Sequence, residues 1–221
     1  NGGHGMNESN DDHKLRLALI FGGRSGEHDV SIVSAKSVDT ALDREHYEVV
    51  PMAIDRKGLW ADRDTARRVL TESSDRTDGT VAFDGSFRID RRLVEGTIDV
   101  AFPVLHGPFG EDGTIQGLFE MLDLPFVGCD AASSAVCMDK IFCKSLLTRA
   151  EIPTPGWQEI DHASWEDRRD EIIDHCLGLG LPVFVKPARL GSSVGITKVT
   201  EKADLSGAVD HALSFGERAL V

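Results

Sequence analysis

The chain has 221 residues, with 24 Lys and Arg against 37 Asp and Glu, for a formal net charge of −13. At about 150 residues per domain, this length makes one large or two small domains. With 41% hydrophobic and 28% charged residues, the chain can bury a core and is not a disordered tail. An acidic balance with no stripe of clustered Lys and Arg repels a phosphate backbone, so nucleic acid is not an expected partner. No apolar run approaches the roughly 18 residues of a membrane span, and the N-terminus lacks the layout of a signal peptide. A soluble cytoplasmic protein with no membrane partner is the expectation.

The first residues, NGGHGM, resemble the scar of an expression tag ahead of an initiator at Met6, and residues 1–13 are read as tag or disordered sequence. From Lys14 the pattern sharpens. LRLALIF at 15–21 is an apolar run stopped by Gly22-Gly23, the mark of a buried parallel strand. VSIVSAKSVDTAL at 30–42 spaces Val30, Val33, Ser34, Ser37, Val38 and Ala41 along one helical face. YEVVPMAI at 47–54 is a second strand, and 57–92 reads as short polar segments with a hairpin, VAF then FRI, around Asp84-Gly85. IDVAFPVL at 98–105 is another strand, followed by the loop HGPFGEDG at 106–113, an amphipathic helix TIQGLFEMLDL and a strand PFVG. The spacing predicts one helix over 133–151, broken by the prolines of IPTPG. Beyond it come a strand WQEI, a helix DRRDEIIDHCLGLG, a strand VFVKPA at 183–188, a small-residue loop RLGSSVG at 189–195, ITKV, a helix through Leu205 to Leu213, and RALV. RALV reads as a strand cut in mid-run, predicting that the natural chain continues. Cys129, Cys137, Cys143 and Cys176 contain no C-x-x-C pair and read as buried thiols.

Three loops carry chemistry. In FGGRSGEHDVS at 21–31, glycines allow close backbone approach beside a helix start. Glu27 there is either a complement to the helix dipole or an anchor for a cation. His106 leaves a strand end and is either a structural hydrogen-bonder or a ligand contact. Glu111 and Asp112 behind it are either an acid pair or caps for the next helix. Lys186 lies within an apolar strand, where an ammonium needs an anionic neighbour such as a phosphate unless it snorkels from an edge. Gly191, Ser192, Ser193 and Gly195 offer N–H and hydroxyl donors for phosphate oxygens, or make a simple turn. Lys140 is a second helical cation that, by itself, reads as a solvated side chain.

Taken together, FGGRSGEHDVS, LHGPFGEDGTIQGLFE, FVGCDAASSAVCMDK and FVKPARLGSSVG resemble the D-alanine:D-alanine ligase family of the ATP-grasp superfamily, over about residues 16–200. The resemblance implies an α/β protein. Residues 14–128 would form an open, mainly parallel, Rossmann-like substrate-binding domain, and 129–221 the smaller α+β subdomain of an ATP-grasp clamp, without its C-terminal ATP-grasp domain. It implies ATP-dependent joining of two D-alanines through an acylphosphate for peptidoglycan precursor synthesis, with ATP and magnesium required, and a homodimer. By the same resemblance Glu27 holds the ammonium of the first D-alanine, His106 lies beside that substrate, and Ser192 joins the network orienting it. Lys140 and Lys186, with Ser192 and Ser193, face the nucleotide phosphates. The family's metal ligands and oxyanion-stabilising Arg fall beyond Val221, so the resemblance implies no metal site within this chain and no ligase activity of the 221 residues alone. Two alternatives stay open: a relative joining D-alanine to D-lactate or D-serine, or another ATP-grasp carboxylate–amine ligase, and a non-catalytic module that binds an amino acid or nucleotide.

Overall fold

The computed structural model describes residues 14–72 and 82–221, so the readings of residues 1–13 and of Val81 lie outside the described residues. β1 (Leu15–Gly22) and β2 (Tyr47–Ile54) run parallel in register from Leu15 opposite Tyr47 to Gly22 opposite Ile54. The continuous apolar run of β1 is used on both faces. Ala18 and Ile20 enter one core cluster, while Leu17, Leu19 and Phe21 enter another, as expected of a strand covered on both sides.

Between these strands, α1 (His28–Ala41) packs through His28, Ser31, Ile32 and Ala35, an i, i+3, i+4, i+7 stripe. The valine-rich face read from the sequence is not the buried one: Val30 and Val33 are about half exposed. Polar anchors choose the stripe. Ser31 Oγ accepts from Gly22 N (2.8 Å) and donates to the Val104 carbonyl (2.5 Å). His28 Nδ1 lies 2.8 Å from the Gly23 carbonyl, and its ring stacks on Phe83. Burial pushes the His28 pKa down, and the opposing pull of the Gly23 carbonyl does not cancel it. The folded state therefore binds this proton less readily than the unfolded chain. Stability is full above about pH 6.5, the ordinary histidine value, and falls as pH drops through it toward the lower folded value. Thermal melts of His28→Asn between about pH 7 and 5 should show a flatter acid limb than the parent protein; equal slopes would clear His28 of this role.

The segment 57–92 corrects the hairpin expectation. It contains α2 (Arg63–Thr71), capped by Asp62, whose carboxylate accepts from Thr65 N, and α3 (Arg91–Val94), capped by Asp90. α2 buries only Ala66, Val69 and Leu70 among its charges, too few apolar positions to stand out from a polar loop. Phe87 pairs with Trp60, because Trp60 is buried against β2 and brings its backbone with it. β3 (Val100–Pro103) pairs parallel with the other side of β1, giving the order β2-β1-β3. α4 (Thr114–Met121) follows, and the expected strand PFVG is reduced to one bridge, Phe126 to Ala101.

The single helix expected over 133–151 is two, α5 (Ala131–Met138) and α6 (Lys140–Arg149), broken at Asp139. After β4 (Glu159–Asp161) comes α7 (His162–Asp167), which the sequence reading did not include; Arg168 takes non-helical angles, and α8 (Arg169–Leu177) is the helix expected over 167–180. β5 (Val183–Pro187), β6 (Thr197–Val199), α9 (Lys202–Leu213) and β7 (Arg218–Leu220) complete an antiparallel sheet of order β4-β7-β5-β6. One face of that sheet is packed: Val183, Val185, Val199 and Ala219 meet Trp165, Ile172, Leu205 and Val209. By the alternation of a strand, Phe184 and Lys186 stand on the other face, exposed and half-buried respectively. β5 has neighbours on both sides, so Lys186 does not snorkel from an edge strand. The reading of four buried thiols holds only for Cys176, whose thiol burial pushes up to about 11; Cys129 and Cys137 are exposed and Cys143 is intermediate. Among the described residues, no helix is long and apolar enough to cross a membrane.

Candidate active site

Three loops converge where the two sheets meet. Glu27 is the N-cap residue of α1, yet its side chain makes no capping bond. Its carboxylate instead accepts a short hydrogen bond from Ser192 Oγ in the loop after β5. The loop after β3 makes room for it: a Cβ on Gly107 would stand 2.8 Å from Glu27 Oε2 and push the carboxylate aside, and the φ of +69° there favours glycine. Ser192 and Ser193 both hold positive φ, 48° and 61°, a conformation that costs free energy and persists where surrounding contacts enforce it.

His106 is half-buried in the loop that follows β3. Its Nε2 lies 3.2 Å from Ser34 Oγ and its Nδ1 3.9 Å from Glu111 Oε1. Glu111 also accepts from Gly107 N at 2.7 Å, fixing the loop that carries His106. Asp112 accepts from Phe109 N (2.9 Å) and Thr114 N (3.0 Å). Burial pushes the Asp112 carboxyl up, but these bonds outweigh it and hold the group below the usual carboxylate range. Glu111 and Asp112 are thus loop fasteners, tied to backbone and not aimed at a common reacting atom.

The cations form a second group. Lys186 Nζ lies on the open face of β5, 5.7 Å from the centre of the Phe184 ring. Lys140 turns its ammonium onto the Leu190 carbonyl (2.5 Å) and the Pro187 carbonyl (3.2 Å), at the root of the serine loop. Burial lowers the Lys140 pKa, and the nearby positive charge of Lys186 adds to the effect against Asp139. Sequence reasoning missed Lys144, one turn along α6. It lines a groove of about 290 Å³ with Lys186, Trp157, Phe184 and Val221. Its ammonium donates to Thr154 Oγ1 (2.6 Å), and burial, then Lys186, lowers its pKa. The spacing of Lys140 and Lys144 on one helix was the available signal. Two lysines beside an aromatic ring on an open sheet face make an anion-accepting groove, whereas Glu27 and Ser192 make a site for a cation. Among the described residues, no group of three His, Cys, Asp or Glu side chains gathers to hold a metal ion.

A parallel α/β unit with an acidic, glycine-flanked loop, followed by an antiparallel sheet with a lysine-bearing open face, agrees with the N-terminal domain and ATP-grasp subdomain that the family resemblance implies. The comparisons make the class specific. Residues 16–129 match the family described as D-ala D-ala ligase N-terminus, and 146–221 match D-ala D-ala ligase C-terminus. The D-alanine--D-alanine ligase of Thermoanaerobacter sp. is 43% identical over 219 residues, covering 94% of this chain, and that of Deinococcus radiodurans is 39% identical over 208. The solved D-alanine-D-alanine ligase of Coxiella burnetii superposes with a TM-score of 0.76 at 31% identity, covering 94% of this chain and 63% of that one. A D-Ala:D-Ser ligase from Enterococcus faecalis superposes at 0.71 with 32% identity, covering 94% and 62%. The chain belongs to the D-alanine:D-alanine ligase family. It spans about three-fifths of the length of the curated relatives it matches.

Proposed function

We propose that the protein containing this chain joins two D-alanines with ATP. The carboxylate of the first takes the terminal phosphoryl group, leaving ADP, and the amine of the second attacks that acylphosphate, releasing phosphate, a proton and D-alanyl-D-alanine for peptidoglycan precursors. One observation carries the reading: the Ser192 hydroxyl meets the Glu27 carboxylate beside the glycine turn that follows His106. A carboxylate so placed suits the ammonium of an amino-acid zwitterion, and His106 flanks the same space. Residues 14–128 then hold the first substrate. Residues 129–221 hold the nucleotide, with Lys186 and Lys144 in the groove and Ser192 and Ser193 donating toward phosphate oxygens; Lys140 braces that loop and adds positive charge behind it.

Magnesium is proposed as the metal that accompanies ATP. No step above passes through it. A cytoplasmic homodimer is proposed on the family resemblance. The likeness to a D-Ala:D-Ser ligase favours one second reading, in which the second substrate is D-serine. The test is phosphate release by the full-length protein with ATP, magnesium and D-alanine, followed by chromatography of the product. D-alanyl-D-alanine is the expected result, and the 221 residues alone are expected to make none. Dipeptide formed only when D-serine is added moves the assignment to the second reading, and no nucleotide-dependent product in either case removes both.

A further inference from the structure

Ser192 reaches Glu27 from the end of β5, and that strand end is held from outside its own sheet. Asp139, 1% exposed, sits at the break between α5 and α6. Its Oδ1 caps α6 by accepting from Ile141 N (3.0 Å) and Phe142 N (3.2 Å). A helix cap needs no more than one side-chain oxygen, yet here the second is also engaged. Oδ2 accepts from Arg189 Nε (2.7 Å) and from Arg218 Nη2 (2.6 Å). Arg218 belongs to β7, and its carbonyl accepts from Ala188 N at 3.0 Å. The next residue completes the hold: Lys140 N donates to the Ala188 carbonyl (2.9 Å), and Lys140 Nζ donates to the carbonyls of Pro187 and Leu190. Asp139 and Lys140 thus bind all four residues from Pro187 to Leu190, directly before Gly191 and Ser192. Burial pushes the Asp139 carboxyl up, but Arg189, the Phe142 amide and Arg218 outweigh it, and the group stays charged.

We infer, on the ligase reading above, that Asp139 is a positioning residue of that site: through Arg189 and Arg218 it sets the strand end from which Ser192 meets Glu27 and the serine loop faces the nucleotide. A loop with two consecutive non-glycine residues at positive φ has other conformations of comparable energy, and a fixed strand end is what selects this one. Asp139 touches neither substrate and acts through the loop.

The experiment uses the full-length protein with Asp139→Asn, Arg189→Gln and Arg189→Lys, read by backbone hydrogen exchange and steady-state kinetics. Asparagine keeps an oxygen to cap α6 but loses the charge that faces the arginines. The Arg189 side chain is 65% exposed, so its variants fold even where Asp139→Asn does not. Amides of residues 190–195 should exchange about tenfold faster in Arg189→Gln, and the KM for D-alanine at the first site should rise about as much while kcat at saturation stays within about twofold, since the competent loop is a smaller fraction of molecules. Asp139→Asn should do the same, and Arg189→Lys, which keeps a charged donor, should recover most of the loss. Unchanged exchange at 190–195 in Arg189→Gln overturns the inference and leaves Asp139 as a helix cap, as does a lysine variant no better than glutamine. A parent protein that makes no dipeptide overturns the ligase reading alone, because the exchange pattern still decides whether Asp139 and Arg189 hold the loop.

Discussion

Lys186→Met in the full-length protein is expected to weaken ATP binding by about ten- to a hundredfold and D-alanine binding much less. The reasoning starts from where β5 puts the ammonium. Val183 and Val185 face the packed side of the sheet, so the alternation sends Lys186 to the open side, half-buried beside Phe184 in the groove it shares with Lys144. A hydrogen bond assisted by a full charge contributes about 1.5–3 kcal/mol, which converts to that range of affinities. Methionine matches the length of the lysine stem and can lie against Phe184, so the fold should survive and the loss should be one of charge. Calorimetric titration with nucleotide is the measurement. An unchanged affinity would make Lys186 a structural lysine and move the proposed phosphate contacts to Lys144.

Glu27→Gln separates a substrate anchor from a complement to the helix dipole. Glutamine keeps the size and can still accept from Ser192, but it removes the charge. If Glu27 only complements the N-terminus of α1, stability falls by about 0.3–1 kcal/mol and the Michaelis constants stay where they were. If it holds the ammonium of the first D-alanine, the apparent affinity for that substrate should fall about tenfold or more, with ATP affinity little changed. The geometry favours the second outcome, because the Glu27 side chain makes no capping bond to the first turn of α1 and turns toward Ser192 and the Gly107 turn. Saturation curves that resolve the two D-alanine sites, run alongside a thermal melt, decide it. A lower melting temperature with unaltered first-site kinetics would return the residue to the dipole role and would remove the substrate pocket proposed around it.

Local chemistry makes much of this protein legible in its sequence. β1 and β2 declare themselves because strands covered on both faces carry unbroken apolar runs, and the informative loops stand out because glycines and lone charged residues follow those runs directly. Glu27, His106, Lys186 and Ser192 were all singled out in this way, each with a bland alternative that its own neighbourhood in the sequence could not remove. Periodicity was weaker where apolar residues were few. The charged helix α2 passed for loop, and the valines of α1 pointed to a face that Ser31 and His28 overrule by hydrogen-bonding to the sheet.

What only the tertiary structure decided is which of these residues meet. Glu27 and Ser192 are 165 positions apart in the chain, and no local pattern encodes a contact of that range. Asp139 looks like any residue of a helix until the chain turns there, and its worth comes from two arginines that arrive from β7 and from the end of β5. Lys144 shares a groove with Lys186 only because the sheet turns Lys186 toward α6. Residue type and spacing set which chemistry each loop can offer, because those are properties of a few adjacent side chains. Burial, charge pairing and the identity of the partner are properties of the packed whole, since a carboxylate's role depends on which donors the fold brings within hydrogen-bonding distance.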